Sequence, residues 1–519
     1  MSKSAQFTQE ISEGYSFKGL FIQLGAAMLE GEVIKEAPVR IPLKMMNRHG
    51  LIAGATGTGK TKTLQIIAEQ LSARSVPVLL MDIKGDLSGV AVASDGHPKI
   101  DERHEKIGIP FEASGSPVEF LSLSDEKGLR LRATVTEFGP VLFSKILDLN
   151  DTQSGILAVI FKYCDDNHLP LLDLKDLKKT LQWATGEGKE DFEKEYGRIS
   201  SASTGAIMRK IVELEQQGAD RFFGERSFDI DDLCRLSDDG RGVISIIRLT
   251  DIQDKPKLFS TFMLQMLAEV YSTLPEEGDL EAPKLVIFID EAHLVFDEAS
   301  DALLDQIEAI VKLIRSKGVG LYFVTQNPMD IPDDVLGQLG LKIQHALRAF
   351  TAKDRKAIKL TAQNYPISEY YKTEDVLTEL GIGEALVTSL NEKGIPTPLA
   401  HTMLRAPQSR MDVLTDREID DIIDQSKLIR KYNEEIDRES AYEILNEKIE
   451  MASEEAHREK MRKQKEKVSK SRSRRREKST IEKVMSSSVG RTVAREVTRG
   501  ILGALGLRTS SRSRKSSWF

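Results

Sequence analysis

The stretch from His49 to Thr63, HGLIAGATGTGKTKT, decides how the rest of the chain is read. Within it Gly54, Ala55, Thr56, Gly57, Thr58, Gly59, Lys60 and Thr61 form an unbroken G-x-x-x-x-G-K-[ST] loop. Leu51, Ile52 and Ala53 lead in as a buried strand would, and Leu64, Ile66, Ile67 and Leu71 lead out with helical spacing. Glycines let successive backbone N–H groups turn toward a triphosphate, and a helix N-terminus adds positive potential. The pattern predicts a nucleoside triphosphate bound with Mg²⁺, with Lys60 reaching the β- and γ-phosphates and the Thr61 hydroxyl ligating the metal.

The same logic extends to the other apolar runs. Leu285 to Ile289 reads as a buried strand that delivers Asp290 and Glu291 at its tip. In a phosphate-loop enzyme the first acid holds Mg²⁺ and the second activates the attacking water, a pairing suited to hydrolysis. Gly320–Thr325 ends in Gln326, a polar side chain placed to sense the γ-phosphate. Transition-state charge calls for an arginine, and two are candidates: Arg315, ending the helix after the acids, and Arg348, ending a later strand. Favourable placement of a cation at a helix C-terminus accounts for Arg315 nearly as well.

Further strands are expected around Val39–Leu43, Pro77–Ile83, Gly242–Leu249 and Lys342–Leu347, with helices at Leu258–Leu274, Ala302–Ser316 and Asp333–Leu339. Strands alternating with helices imply a mainly parallel α/β sheet. DIKGDLSGVA, after the second core strand, reads as a loop. Residues 139–239 are helical in pattern and too long for an ordinary connection. The expected division is 1–138 (N-terminal segment and first part of the core), 139–239 (inserted helical subdomain), 240–410 (second part of the core) and 411–519 (charged helical region and basic tail).

Charge is distributed unevenly. From Arg458 onward there are 20 Lys/Arg against 5 Asp/Glu, a net of +15, while residues 1–457 carry a net of −23. An acidic body argues against a broad nucleic-acid face, though not against a local basic pore. The tract at Lys460–Lys478 has little to bury. Between Ile481 and Leu507, Arg491, Arg495 and Arg499 recur beside Val489, Val493, Val497 and Ile501, a pattern suited to partner docking, a membrane surface or oligomerisation. No apolar run approaches the roughly 20 residues of a membrane span, and MSKSAQFTQEISEG has no signal-peptide pattern. Cys164 and Cys234 lack ligand spacing, which suggests a reducing, cytoplasmic setting.

GLIAGATGTGKTKTLQ, MDIKGDLSG, ILDLNDTQSGIL, FIDEAHLVF, LIRSKGVGLYFVTQNPMDIP and VLGQLGLKIQHALRAFT together resemble the bacterial HerA-like ATPases of the HerA/FtsK clan, in the group typified by YjgR. The resemblance runs from about Gly19 to Arg410. It implies a RecA-like motor core, a homohexamer with ATP between subunits, and an arginine finger at the position of Arg315. It matches Lys60, Thr61, Asp290, Glu291 and Gln326 to the family's phosphate loop, acidic pair and sensor. Archaeal HerA helicases carry an N-terminal β-barrel that roughly 50 residues cannot hold in full, so the resemblance by itself does not imply their DNA-end-processing roles. The expected function is a DNA translocase driving its substrate through a central pore. The alternative is an ATP-driven protein remodeller, or an effector-coupled switch, that docks a partner through the basic tail.

Overall fold

The computed structural model describes residues 2–463 except 279, 297–300, 435, 437, 452, 455 and 456. The amphipathic stretch expected at 481–507 lies outside them. Residues 1–445 make one compact unit; the second begins at Asn446 and its described residues are helical.

The compact unit is built on a single twelve-stranded sheet. In chain order its strands are β1 (Phe21–Leu29), β2 (Glu32–Pro42), β3 (Gly50–Ala53), β4 (Val78–Asp82), β5 (Val118–Ser122), β6 (Leu129–Arg130), β7 (Ile244–Arg248), β8 (Leu285–Ile289), β9 (Val319–Thr325), β10 (Leu341–Gln344), β11 (Glu384–Thr388) and β12 (Ala400–Leu404). Across the sheet the order is β2-β1-β12-β11-β10-β3-β9-β8-β4-β7-β5-β6. From β10 to β6 every neighbouring pair is parallel. The central members β3, β4, β8 and β9 are buried at every residue, as strands covered on both faces must be. The other four strands form an antiparallel wing beside β10 that brings the first and last strands of the unit together: β1 pairs with both β2 and β12.

Within this wing β2 overlaps the strand expected around Val39–Leu43, but β11 and β12, like β5 in the parallel part, carry no signal that separates them from loops. They are five residues each, and each has at least one pairing partner distant in sequence: β7 for β5, β10 for β11 and β1 for β12. The helix Lys60–Ser72 follows the glycine-rich loop. Its Glu69 is buried and accepts from Gln408 N at 2.8 Å, Ser409 N at 3.2 Å and Ser409 Oγ at 2.8 Å. Three donors thus clamp the segment after β12 onto the phosphate-loop helix.

Helices run from Val135 to Leu233 between β6 and β7. They bury Leu157, Leu177, Leu181, Phe192, Ile207 and Ile211, all within the hydrophobic core that the sheet shares. The charged segment after Asp416 contributes Ile419, Ile423, Tyr432 and Leu445 to the same core. The acidic sequence there is one face of an amphipathic helix, Asp416–Asp424.

Gly54 fixes the geometry at the head of β3. Its φ is +151°, and a Cβ at this position would meet the Cβ of His345 at 2.5 Å. Gly54→Ala should therefore lose about 1–3 kcal/mol from backbone strain alone, with the steric overlap added. Thermal unfolding of the variant should show a clearly lowered Tm; an unchanged Tm would show that the loop and β10 are not packed this closely.

Candidate nucleotide site

β3, β9, β8 and β4 are consecutive neighbours and all parallel. Their C-terminal ends therefore bring four chain segments to one edge: the loop 54–61, Gln326, the Asp290-Glu291 pair and the turn after Asp82. This edge is where open parallel sheets bind ligands.

Lys60 is 5% exposed, and its Nζ donates to Gly54 O at 2.7 Å and Ala55 O at 3.2 Å. Burial, followed by the Lys84 charge, lowers its pKa, against the pull of Glu291, Asp290 and Asp86. Thr61 Oγ1 donates to Asp86 Oδ2 at 3.2 Å. Thr56 Oγ1 donates to Gln326 Oε1 at 3.3 Å, so the end of β9 touches the phosphate loop itself. Gly57 and Gly59 have φ of +77° and +111°, a left-handed backbone that turns the loop around its ligand space.

Asp290 and Glu291 are both buried at the tip of β8. Burial pushes the Asp290 pKa up to about 6, opposed by Lys84 and reinforced by Glu291. Glu291 adopts φ +47°, unusual for a non-glycine residue. One carboxylate oxygen pairs with Lys84, and the other lies 3.2 Å from Nδ1 of His293.

The turn read as a plain loop supplies charge that the sequence alone did not single out. Asp82 accepts backbone N–H bonds from Gly85, Asp86 and Leu87 at 2.8, 3.2 and 3.2 Å, which holds the turn open toward the site. Burial and the neighbouring Asp86 carboxylate raise its pKa to about 7. Lys84 loses charge stability through burial, but Asp290, Glu291 and Asp86 more than restore it and its pKa is raised. The signal was present as D-x-K-G-D directly after a buried strand. It became informative only once β4 was seen beside β8.

The donor set suits a hard cation bound with phosphates. Asp290 Oδ2 and Asp86 Oδ1 are buried without a hydrogen-bond partner; the Asp86 carboxylate meets Thr61, and the Asp290 charge acts on Lys60 of the same loop. The described residues contain no cluster of three His, Cys, Asp or Glu able to cage a metal unaided. One or two carboxylates, a hydroxyl, water and phosphate oxygens are what Mg²⁺ uses.

The two arginines are placed differently. Arg315 lies in a short turn before β9, whereas Gln326 follows that strand. Seven strand residues separate them, roughly 20 Å at the usual rise, so Arg315 sits at the opposite edge of the sheet from its own phosphate loop. It lines a polar recess of about 590 Å³ with Lys44, Arg48, Lys312, Glu277 and Glu392. Arg348 is exposed beyond β10, with Nη1 donating to Thr378 O at 3.1 Å. Two residues earlier, Ala346 O accepts from Ala55 N at 2.8 Å, so Arg348 is near its own loop. A second recess, of about 290 Å³ and largely apolar, opens beside Gly59, Thr63 and Ile66 and is bounded by Arg103, Ile382 and Leu404.

A parallel sheet with a glycine-rich phosphate loop, an acidic pair on a neighbouring strand and a polar residue on the strand between defines a RecA-like P-loop nucleoside triphosphatase. Residues 28–510 match the family described as "Helicase HerA-like C-terminal", and the chain belongs to that family. It is 24% identical over 367 residues to the "DNA double-strand break repair helicase HerA" of Sulfurisphaera tokodaii, covering 68% of this chain and 64% of that one. The protein of the same description from Saccharolobus solfataricus is 22% identical over 382 residues, covering 72% and 68%. The match thus spans about two thirds of these relatives' length. In fold, the chain is similar to the bacterial conjugative coupling protein TrwBdeltaN70, with a TM-score of 0.51 at 14% identity over 78% of this chain and 94% of that one.

The raised Asp290 pKa sets a pH dependence. Above about 6 the carboxylate is ionised and free to hold a cation; below it, a proton competes. Mg²⁺-dependent ATP affinity should therefore weaken as pH falls from about 7.5 to about 5.5, read by calorimetric titration at each pH. An Mg²⁺ requirement flat across this range would remove Asp290 from the metal site.

Proposed function

We propose that the protein is an oligomeric, ATP-hydrolysing motor that moves DNA through a central pore. The observation that carries this reading is the meeting of Lys60, Thr61, Asp290, Glu291 and Gln326 at one edge of the sheet, with the Thr56–Gln326 bond joining loop to sensor strand. Membership of the HerA-like family and the helicase descriptions of its relatives support the motor assignment.

In this reading the backbone of Gly54–Thr61 cradles the phosphates and Lys60 exchanges its two carbonyl partners for phosphate oxygens. Thr61 and Asp290 hold Mg²⁺, which when bound neutralises charge that develops on the phosphates. Glu291 orients and deprotonates the attacking water after leaving Lys84. Gln326 senses the γ-phosphate through its contact with the loop. The apolar recess beside Gly59 and Thr63 takes the base. Arg315, at the far edge of the sheet, is placed to serve a neighbouring subunit's nucleotide; Arg348 is the second candidate for that role. A finger acting in trans needs at least a second subunit, and this reading takes the assembly as a closed ring, a homohexamer. None of the described helices is long and apolar enough to cross a membrane.

ATP turnover by purified protein with single-stranded DNA, duplex DNA or no polymer tests the reading, and absence of DNA stimulation would favour a protein substrate instead. Lys60→Ala should lose nucleotide affinity, whereas Glu291→Gln should keep ATP binding and lose turnover. Wild-type turnover in the Glu291→Gln protein would remove the proposed base.

Arg315→Ala should lower turnover by a factor on the order of 10³ with little change in ATP affinity. Mixing it with Glu291→Gln subunits should restore partial activity, because each supplies what the other lacks. No recovery on co-assembly would place Arg315 outside the trans site.

A further inference from the structure

Between β10 and β11 lies a surface that, past Arg348, includes none of the proposed catalytic side chains. Residues 348–359, RAFTAKDRKAIK, hold five Lys/Arg against one Asp within a body whose net charge to residue 457 is −23. The helix Ala352–Gln363 buries Ile358 and Thr361 and leaves Lys353, Arg355, Lys356 and Lys359 at its surface. Asp354 is occupied in capping: it accepts from Phe350 N at 2.9 Å and Thr351 N at 2.8 Å. Arg355, Lys356 and Lys359 have no ion-pair partner among the described residues. Lys359 lies three and four positions after the other two, where like charges repel along a helix. Before the helix, Phe350 is 87% exposed.

We propose that Phe350 and the cationic face Arg355-Lys356-Lys359 grip single-stranded DNA. Phosphates lie along the cations, and a base stacks on the Phe350 ring, the pairing of electrostatics and aromatic platform that binds a single strand without sequence preference. Bases stacked inside a duplex cannot reach an exposed ring, which selects the single strand. The proposal rests on the reading of the protein as a polymer motor and identifies where that motor would hold its polymer. The surface is tied to the nucleotide site from two sides. Ala346, four residues before Phe350, bonds the phosphate loop through Ala55, and the helix lies beside the Pro328–Asp330 turn that follows Gln326. A shift of loop or sensor would therefore move the grip.

The test uses the full chain with p-benzoylphenylalanine in place of Phe350 and a labelled oligodeoxythymidine. Irradiation should crosslink protein to DNA, and unlabelled single strands should compete better than duplex. In parallel, the triple variant Arg355→Gln, Lys356→Gln, Lys359→Gln should need at least tenfold more DNA for half-maximal stimulation of ATP turnover, at unchanged turnover without DNA. Its plot of log affinity against log salt should be shallower by about 2, because each phosphate neutralised on a single strand adds roughly 0.7 to the slope. A crosslink to a second copy of the chain would make this surface a subunit interface, and that result, a preference for duplex or no DNA crosslink would overturn the proposal. Absence of ATP turnover in the unsubstituted protein would instead overturn the motor reading, since the crosslink does not require hydrolysis.

Discussion

Everything at the nucleotide edge depends on one electrostatic constraint: six ionisable groups, four of them buried, crowd together and must balance one another. Lys60 and Lys84 face Asp82, Asp86, Asp290 and Glu291, leaving an excess of two negative charges if all are ionised. Removing charges from water is costly unless they are paired and hydrogen-bonded. The protein meets part of that cost with the three N–H donors on Asp82 and the Lys84–Glu291 pair. The rest shows as raised pKa values on Asp82 and Asp290. A divalent cation brings the missing charge, which is why the same arrangement suits Mg²⁺ with a phosphate chain.

Lys84 gains its importance from this balance. It pairs with Glu291, and in the proposed mechanism this contact would hold the base until a nucleotide arrives. A triphosphate would offer Lys60 and Lys84 alternative anionic partners, freeing Glu291 for water. The unusual backbone of Glu291 concentrates strain at the residue whose partner must change, as functional sites often do.

The second constraint is mechanical. The phosphate loop is held by Gly54 against His345, by Ala55 to Ala346, and by Glu69 to the 408–409 segment. Those contacts connect the site to β10 and to the antiparallel wing, so movement at the loop cannot stay local. Packed interiors transmit such displacements because they deform little.

The sequence by itself determined the central chemistry. A contiguous loop such as residues 54–61 states its own geometry, and the buried runs ending in Asp290 and Gln326 announce strands whose tips carry polar groups. Leu285–Ile289 and Val319–Thr325 were legible because fully buried parallel strands are continuous apolar runs. Tertiary structure alone decided what is built from distant pieces. β5, β11 and β12 are short, and each is fixed in part by a strand remote in the chain, a pairing of which local pattern carries no record. Asp82, Lys84 and Asp86 looked like a polar turn until the sheet order set β4 beside β8 and brought that turn to the Asp290–Glu291 tip. The opposite placements of Arg315 and Arg348 followed from strand direction, which spacing along the chain does not encode. Local order is written in neighbouring residues; which charges share a desolvated space is settled only when the strands are laid side by side.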